Sequence, residues 1–82
     1  MIKLLALVNG VILISHIEEV GSEIGEPDCK LTNPYVVNKD ESMEPFLYEY
    51  TLQNVFMIHS DKIFTITDPK ATLLEKYEKL TK

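Results

Sequence analysis

Two apolar β-type runs flank the dipeptide Asn9-Gly10, and this arrangement restricts the fold more than any other feature of the chain. Ile2 to Val8 and Val11 to Val20 are rich in Leu, Ile and Val. Asn-Gly tolerates the positive φ values of a type I′ turn, so these runs are expected to pair as a hairpin. The stretches Leu4-Leu5-Ala6-Leu7-Val8 and Val11-Ile12-Leu13-Ile14 contain no polar residue to mark a solvent face. Successive strand side chains point to opposite faces, so both strands need cover on two sides. The second run relaxes to Ser15, His16, Ile17, Glu18, Glu19 and Val20, as expected where a long strand leaves the core. The small Ser15 is the expected bend.

The chain has 82 residues, enough for a single domain over 1–82. A domain of this size buries only about 60–65% of its unfolded surface. With 45% hydrophobic residues, the excess apolar surface points to partner chains, most simply copies of the same chain. The net charge of −5 opposes general attraction to phosphate backbones, but it leaves a local RNA site open. Cys29 is the one cysteine, which excludes a disulfide framework and a Cys-x-x-Cys site and suits a reducing compartment. Residues 1–14 have the early Lys and apolar run of a secretory signal. Asn9-Gly10, the β-branched second half and the lack of a small-x-small site oppose that reading. The run is also too short for a membrane-spanning helix, so the expected location is the cytoplasm.

Further along, Gly21 to Asp28 reads as an acidic loop and Cys29 to Asn38 as a third strand, bent at Asn33-Pro34. Pro34 has no N–H for a ladder and belongs at a bulge or edge. Asn38 to Pro45 is charged and aperiodic, a surface loop. Phe46, Tyr48, Tyr50 and Leu52 alternate with Leu47, Glu49, Thr51 and Gln53, the pattern of a half-buried strand running on as one bent strand to Ile58. Val55 to Ile58 and Ile63 to Thr67 then flank His59-Ser60-Asp61-Lys62 as a second hairpin. Asp68-Pro69 opens a helix over about 68–81. Leu73, Tyr77 and Leu80 form its apolar stripe, and Glu75/Lys79 and Glu78/Lys82 are i,i+4 pairs. The fold class expected is mainly β: a small, strongly bent, five-stranded antiparallel barrel over about 2–67, with a C-terminal helix.

No local pattern points to catalysis or a cofactor. Cys29 has no nearby histidine or activating helix start and reads as a structural thiol. Glu18, Glu19, Glu23, Glu26 and Asp28 lack EF-hand spacing and read as a solvated loop. His16 has no sequence-local metal partner. Asn33 before Pro34 is a common turn dipeptide, and Tyr48 and Tyr50, on one strand face, suit core or interface packing better than base stacking.

The segment Asn54 to Thr67, NVFMIHSDKIFTIT, resembles the second signature of the Sm and Sm-like family, in which Arg-Gly-Asp/Asn follows a hydrophobic strand. Here His59 takes the Arg place and Ser60 the Gly place. Gly10 and Ser15 match the small positions of the first signature, and Cys29 to Val37 resembles its later part, with Asn33 on the family Asn. Residues between Val20 and Cys29 are an insertion relative to the family, and the helix follows the last strand instead of preceding the first. The likeness is greatest to divergent Sm-like proteins of tailed phages of marine cyanobacteria.

The resemblance implies a non-enzymatic homo-oligomeric ring of about five to seven subunits, the fourth strand of one chain pairing with the fifth of the next. It also implies RNA binding or RNA-chaperone activity on single-stranded, uridine-rich RNA, without DNA, membrane or cofactor. Asn33, Leu31, His59 and Ser60 would line the base pockets, with Lys30 and Lys62 supplying local charge. The alternative is a homo-oligomeric protein-interaction scaffold that keeps the ring and has lost the RNA site.

Overall fold

In the computed structural model, which describes residues 1–82, the chain forms six antiparallel strands and one helix. The strands are β1 (Ile2–Leu7), β2 (Ile12–Glu19), β3 (Cys29–Val37), β4 (Met43–Pro45), β5 (Val55–Ile58) and β6 (Ile63–Thr67), followed by α1 (Ala71–Leu80). Their order across the sheet is β4-β3-β2-β1-β6, with β5 also pairing β3. The fold is mainly β and barrel-like with a C-terminal helix, as the sequence pattern predicts, but with six strands instead of five.

The first hairpin forms with Ile2 opposite His16 and Ala6 opposite Ile12. Its turn is not type I′. Gly10 alone has a positive φ, +89°, while Gly10 N–H donates to Leu7 O and Leu7 N–H to Val11 O, both at 2.9 Å. That is the three-residue hairpin with glycine in the left-handed position. Asn9 serves through its side chain instead, accepting from Val11 N–H at 3.1 Å.

Alternation then divides the apolar residues between two cores. Leu5, Leu7, Leu13 and Leu31 fill the barrel interior, joined by Phe46, Phe56, Ile58 and Ile63. Ile14 points the other way, and with Ile2, Leu4, Tyr35 and Val37 it meets Leu73 and Tyr77 of α1. The second face of the greasy N-terminal strands is therefore covered by the chain's own helix, a partner the sequence pattern assigned to other subunits. The Tyr77 ring is fully buried, and its hydroxyl donates to the Asn33 carbonyl at 2.9 Å and the Thr32 carbonyl at 3.3 Å.

The expected bend of β2 is present: the β2–β3 register shifts between Ile14 and His16. Ser15 there is fully buried, its hydroxyl shared between the carbonyls of His16 (2.8 Å) and Thr32 (3.1 Å). A larger side chain would have no room and no donor for those acceptors.

Three expectations change. Residues 46–53 are not a strand: successive turns replace it, with Leu47 at φ +59° and its carbonyl accepting from Tyr50 and Thr51 N–H. The cause lies opposite, where β3 bends at Asn33 (φ +54°) and Pro34 has no N–H to offer a ladder. The Asn38–Pro45 loop instead contains β4, paired to Tyr35–Val37. Nor do β5 and β6 form a hairpin. A 3₁₀ turn at Ser60–Lys62 carries the chain from β3's edge to β1's edge, so this segment links the two ends of the bent sheet.

Helix α1 starts later than Asp68-Pro69 suggests, with Lys70 at the N-cap and no side-chain cap. Asp68 is occupied elsewhere, paired with Lys3 across β1. Neither Glu75/Lys79 nor Glu78/Lys82 closes to ion-pair distance, since Lys3–Asp68 and Lys30–Glu18 are the pairs that form. Exposed pairs of that kind gain too little to fix two long side chains. Leu80 is exposed, so the buried stripe is Leu73 and Tyr77. No helix is long and apolar enough to cross a membrane.

Candidate functional site

The antiparallel ladder between β3 and β5 sets the site. Cys29 lies opposite Ile58, Lys30 opposite Met57, Leu31 opposite Phe56 and Thr32 opposite Val55. At the Cys29 end the chain enters from the acidic loop and leaves into the 3₁₀ turn, so Asp28, His59 and Ser60 meet there. Ser60 N–H donates to Asp28 Oδ1 and the Ser60 hydroxyl to Oδ2, both at 2.7 Å. The Asp28 carbonyl also accepts from Val20 N–H at 3.0 Å. One residue thus ties the end of β2, the start of β3 and the turn after β5.

Those bonds favour the carboxylate and hold Asp28 below its ordinary pKa of 3.8. The Ser60 hydroxyl acts most, then its amide, with the His59 charge a smaller influence. The depressed native pKa makes the clamp fully stabilising above about pH 3.8 and lost as the pH falls through the lower native value. Asp28→Asn is expected to lower the thermal midpoint at pH 7 and to flatten its fall between pH 5 and pH 2, read by circular dichroism melts. An unchanged acid limb would show that the clamp adds no stability.

Four of the residues singled out from sequence gather at this end. His59 precedes the turn, Ser60 and Lys62 lie on it, and Lys30 is one step inside the ladder, on the opposite strand face from the buried Cys29. Lys30 is already engaged, its Nζ 3.7 Å from Glu18 Oε1. The Lys62 carbonyl accepts from Val8 N–H at 2.9 Å and ties the turn to the first hairpin.

Leu31 and Asn33 do not join them. Leu31 is completely buried in the barrel core and presents no surface on which a base could stack. Asn33 sits at the far end of the ladder, five residues and roughly 16 Å from Asp28. There its N–H donates to Asn54 O at 2.7 Å and its side-chain oxygen accepts from Asn54 Nδ2 at 3.1 Å. Its structural role as the bend of β3 accounts for the Asn-Pro dipeptide.

The residue that stands beside the Ser60–Lys62 turn is Asp28, which the sequence pattern left among loop acids. Its only sequence cue is its place as the last polar residue before the strand. An aspartate there is acceptor-only, unlike an asparagine, so it cannot present both halves of an amide to a base edge. All eight basic side chains of the protein are lysines, so no guanidinium is present for bidentate or stacking contact with RNA.

Cys29, beside the clamp, is buried, and burial first, then the charges of Asp28 and Glu19, push its thiol above the ordinary value. That disfavours the nucleophilic thiolate and matches a structural thiol. No group of three or more His, Cys, Asp or Glu side chains is placed to hold a metal ion.

A comparison with curated proteins finds no match. Residues 1–82, the whole chain, match a family described as "Family of unknown function (DUF6561)", and the protein belongs to that family.

Proposed function

We propose that the protein is a non-enzymatic, ring-forming Sm-like protein that acts as a homo-oligomeric interaction scaffold in a reducing cytoplasm. The observation that carries this reading is the pair of open sheet edges. β5 pairs only with β3 and β6 only with β1. Both expose large apolar side chains: Met57 is 48% accessible, Phe64 78% and Ile66 50%. Unpaired apolar edges recruit strands from other chains. A β5-to-β6 contact between neighbours uses a different patch on each side and closes into a ring when the rotation divides a full turn, and the family resemblance implies about five to seven copies. The strand order and the 3₁₀ turn within the second signature agree with the family resemblance. Native mass spectrometry is expected to find a multiple of the 9.4 kDa chain. A lone chain at about 100 µM, far above the concentrations at which specific ring contacts form, would end this reading.

RNA is the second reading of what such a ring carries, and one observation favours it. Lys30, His59, Ser60 and Lys62 lie at the same end of the ladder, and in a ring that set would recur once per subunit. The buried Leu31, the displaced Asn33 and the charge of −5 favour protein partners instead. Labelled uridine-rich RNA titrated at low salt is therefore expected to show no saturable anisotropy change at low micromolar protein. Saturable binding abolished by His59→Ala would establish the RNA reading in place of the scaffold.

A further inference from the structure

β4 sets a carboxylate on an apolar face. It pairs with the end of β3 so that Glu44 lies opposite Val36, with Pro45 opposite Tyr35 and Met43 opposite Val37. Partners in an antiparallel pair share a face, so Glu44 stands on the side where Val36 and Val11 pack against the barrel core. Glu44 is partly buried there, and no lysine pairs with it. A carboxylate drawn partly out of water gains most from a cation that shares its site.

The chain then folds back across it. Tyr48 N–H donates to Pro45 O at 3.2 Å, and the carbonyl of Leu47, a residue at φ +59°, accepts from Tyr50 N–H at 2.9 Å. These turns bring Tyr48, Glu49 and Tyr50 to line a pocket of about 210 Å³ together with Glu44, Val11 and Val36. Glu44 and Glu49 are the only charged groups in its lining. Both carboxylates, Glu44 first, raise the pKa of the Tyr48 phenol, so their charges act on the ring beside them. The pocket thus joins an apolar floor, two phenol rings and two carboxylates, with no lysine among them.

We propose that this pocket receives the arginine side chain of a basic segment of a partner protein. A guanidinium carries five N–H donors for the two carboxylates, stacks on aromatic faces and gives up its water more readily than an ammonium does. Its methylene stem suits the apolar floor of Val11, Val36 and Phe46. The same charges select the occupant. This chain has no arginine and carries −5, so a second copy matches the pocket poorly, and RNA would bring phosphates to Glu44 and Glu49. The inference deepens the scaffold reading, on which it rests for its biological role, by naming a partner class. Every wall of the pocket belongs to one chain, so docking does not require the ring.

The test uses the full isotope-labelled chain, titrated at low ionic strength with a short glycine-serine peptide bearing a central arginine and followed by amide NMR shifts. Half-saturation is expected on the order of 1 mM, with shifts at residues 11, 36 and 44–50. The same peptide with citrulline, which keeps the shape and lacks the charge, is expected to shift nothing at about 10 mM, and the lysine version to bind about threefold more weakly. Glu44→Gln and Glu49→Gln are each expected to weaken binding about fivefold, and Tyr50→Ala, at a position 82% open to solvent, about threefold. Phe64→Asp, which removes the assembly edge, is expected to bind as the parent does, so failure of the ring and failure of the pocket are read separately. The inference is overturned by no shifts at about 10 mM arginine peptide, by equal binding of the citrulline or lysine peptide, or by parent-like binding to Glu44→Gln. It is overturned equally by shifts centred on the acidic loop 21–28, the mark of general attraction to an acidic chain, or by the pocket shifts appearing when the chain alone is concentrated or uridine-rich RNA is added.

Discussion

Tyr77→Ala is expected to unfold a large share of the protein at 37 °C and to lower the thermal midpoint by at least about 12 °C. Removing a fully buried aromatic side chain costs about 3–5 kcal/mol. A domain of this length holds only roughly 4–12 kcal/mol in total. In a domain of 60–100 residues each kcal/mol moves the midpoint by about 4–8 °C. The loss is concentrated because Tyr77 joins three parts of the fold. Its ring meets Ile14 from β2 and lies edge-on to Tyr35 at 5.8 Å, while its hydroxyl reaches the carbonyls at the bend of β3. Tyr77→Phe separates the two contributions. It keeps the packing and removes the donor to Asn33 O, so a smaller loss of about 1–2 kcal/mol is expected. Denaturant melts of the two variants check this, and equal losses would show that packing of the ring contributes nothing.

Phe64→Asp is expected to convert the proposed edge-paired ring to single chains while leaving the fold intact. Phe64 lies on the outermost strand with 78% of its surface open in the isolated chain, so the substitution removes nothing from either core. In an edge-paired ring the same side chain would be covered. Losing it forfeits about 1.5–3 kcal/mol per contact, and the buried carboxylate adds a further penalty. The concentration needed for assembly should rise by at least about 100-fold. Sedimentation of the parent and the variant reads this directly. Ile24→Asp, a change at a fully exposed apolar residue in the acidic loop, is the control expected to leave the mass unchanged. A parent-like mass for Phe64→Asp would remove β6 from the interface.

Much of the fold was legible because its cues are local. Asn9-Gly10 between two apolar runs specified the first hairpin, and Ser15 marked the bend of β2. Pro34 foretold an interruption in β3, which the structure places between the segments paired to β4 and β5. The strand pattern over residues 46–53 misled because alternation records only which side chains would share a face. It says nothing about whether a neighbouring ladder has free N–H and C=O groups to receive them, and at Asn33-Pro34 there are none to spare. Part of the grouping of the candidate residues was legible. His59, Ser60 and Lys62 are contiguous, and Lys30 is one ladder step away. Leu31 is adjacent to Lys30 in sequence but faces the core, and Asn33 lies at the opposite end of the ladder; strand alternation and the bend of β3, both tertiary matters, set those positions.

By itself the sequence determined the mainly-β class, the first hairpin, the bends and the amphipathic final helix, since turn chemistry and side-chain periodicity act within a few residues. Only the tertiary structure decided which partner each face received. It laid α1 over the second face of the first hairpin, buried Leu31 and set Asp28 against Ser60. Those pairings join residues far apart in the chain, Ile14 with Tyr77 across 63 positions among them. At such separations a chain's periodicity fixes the faces that need cover, and the three-dimensional path of the backbone fixes what covers them.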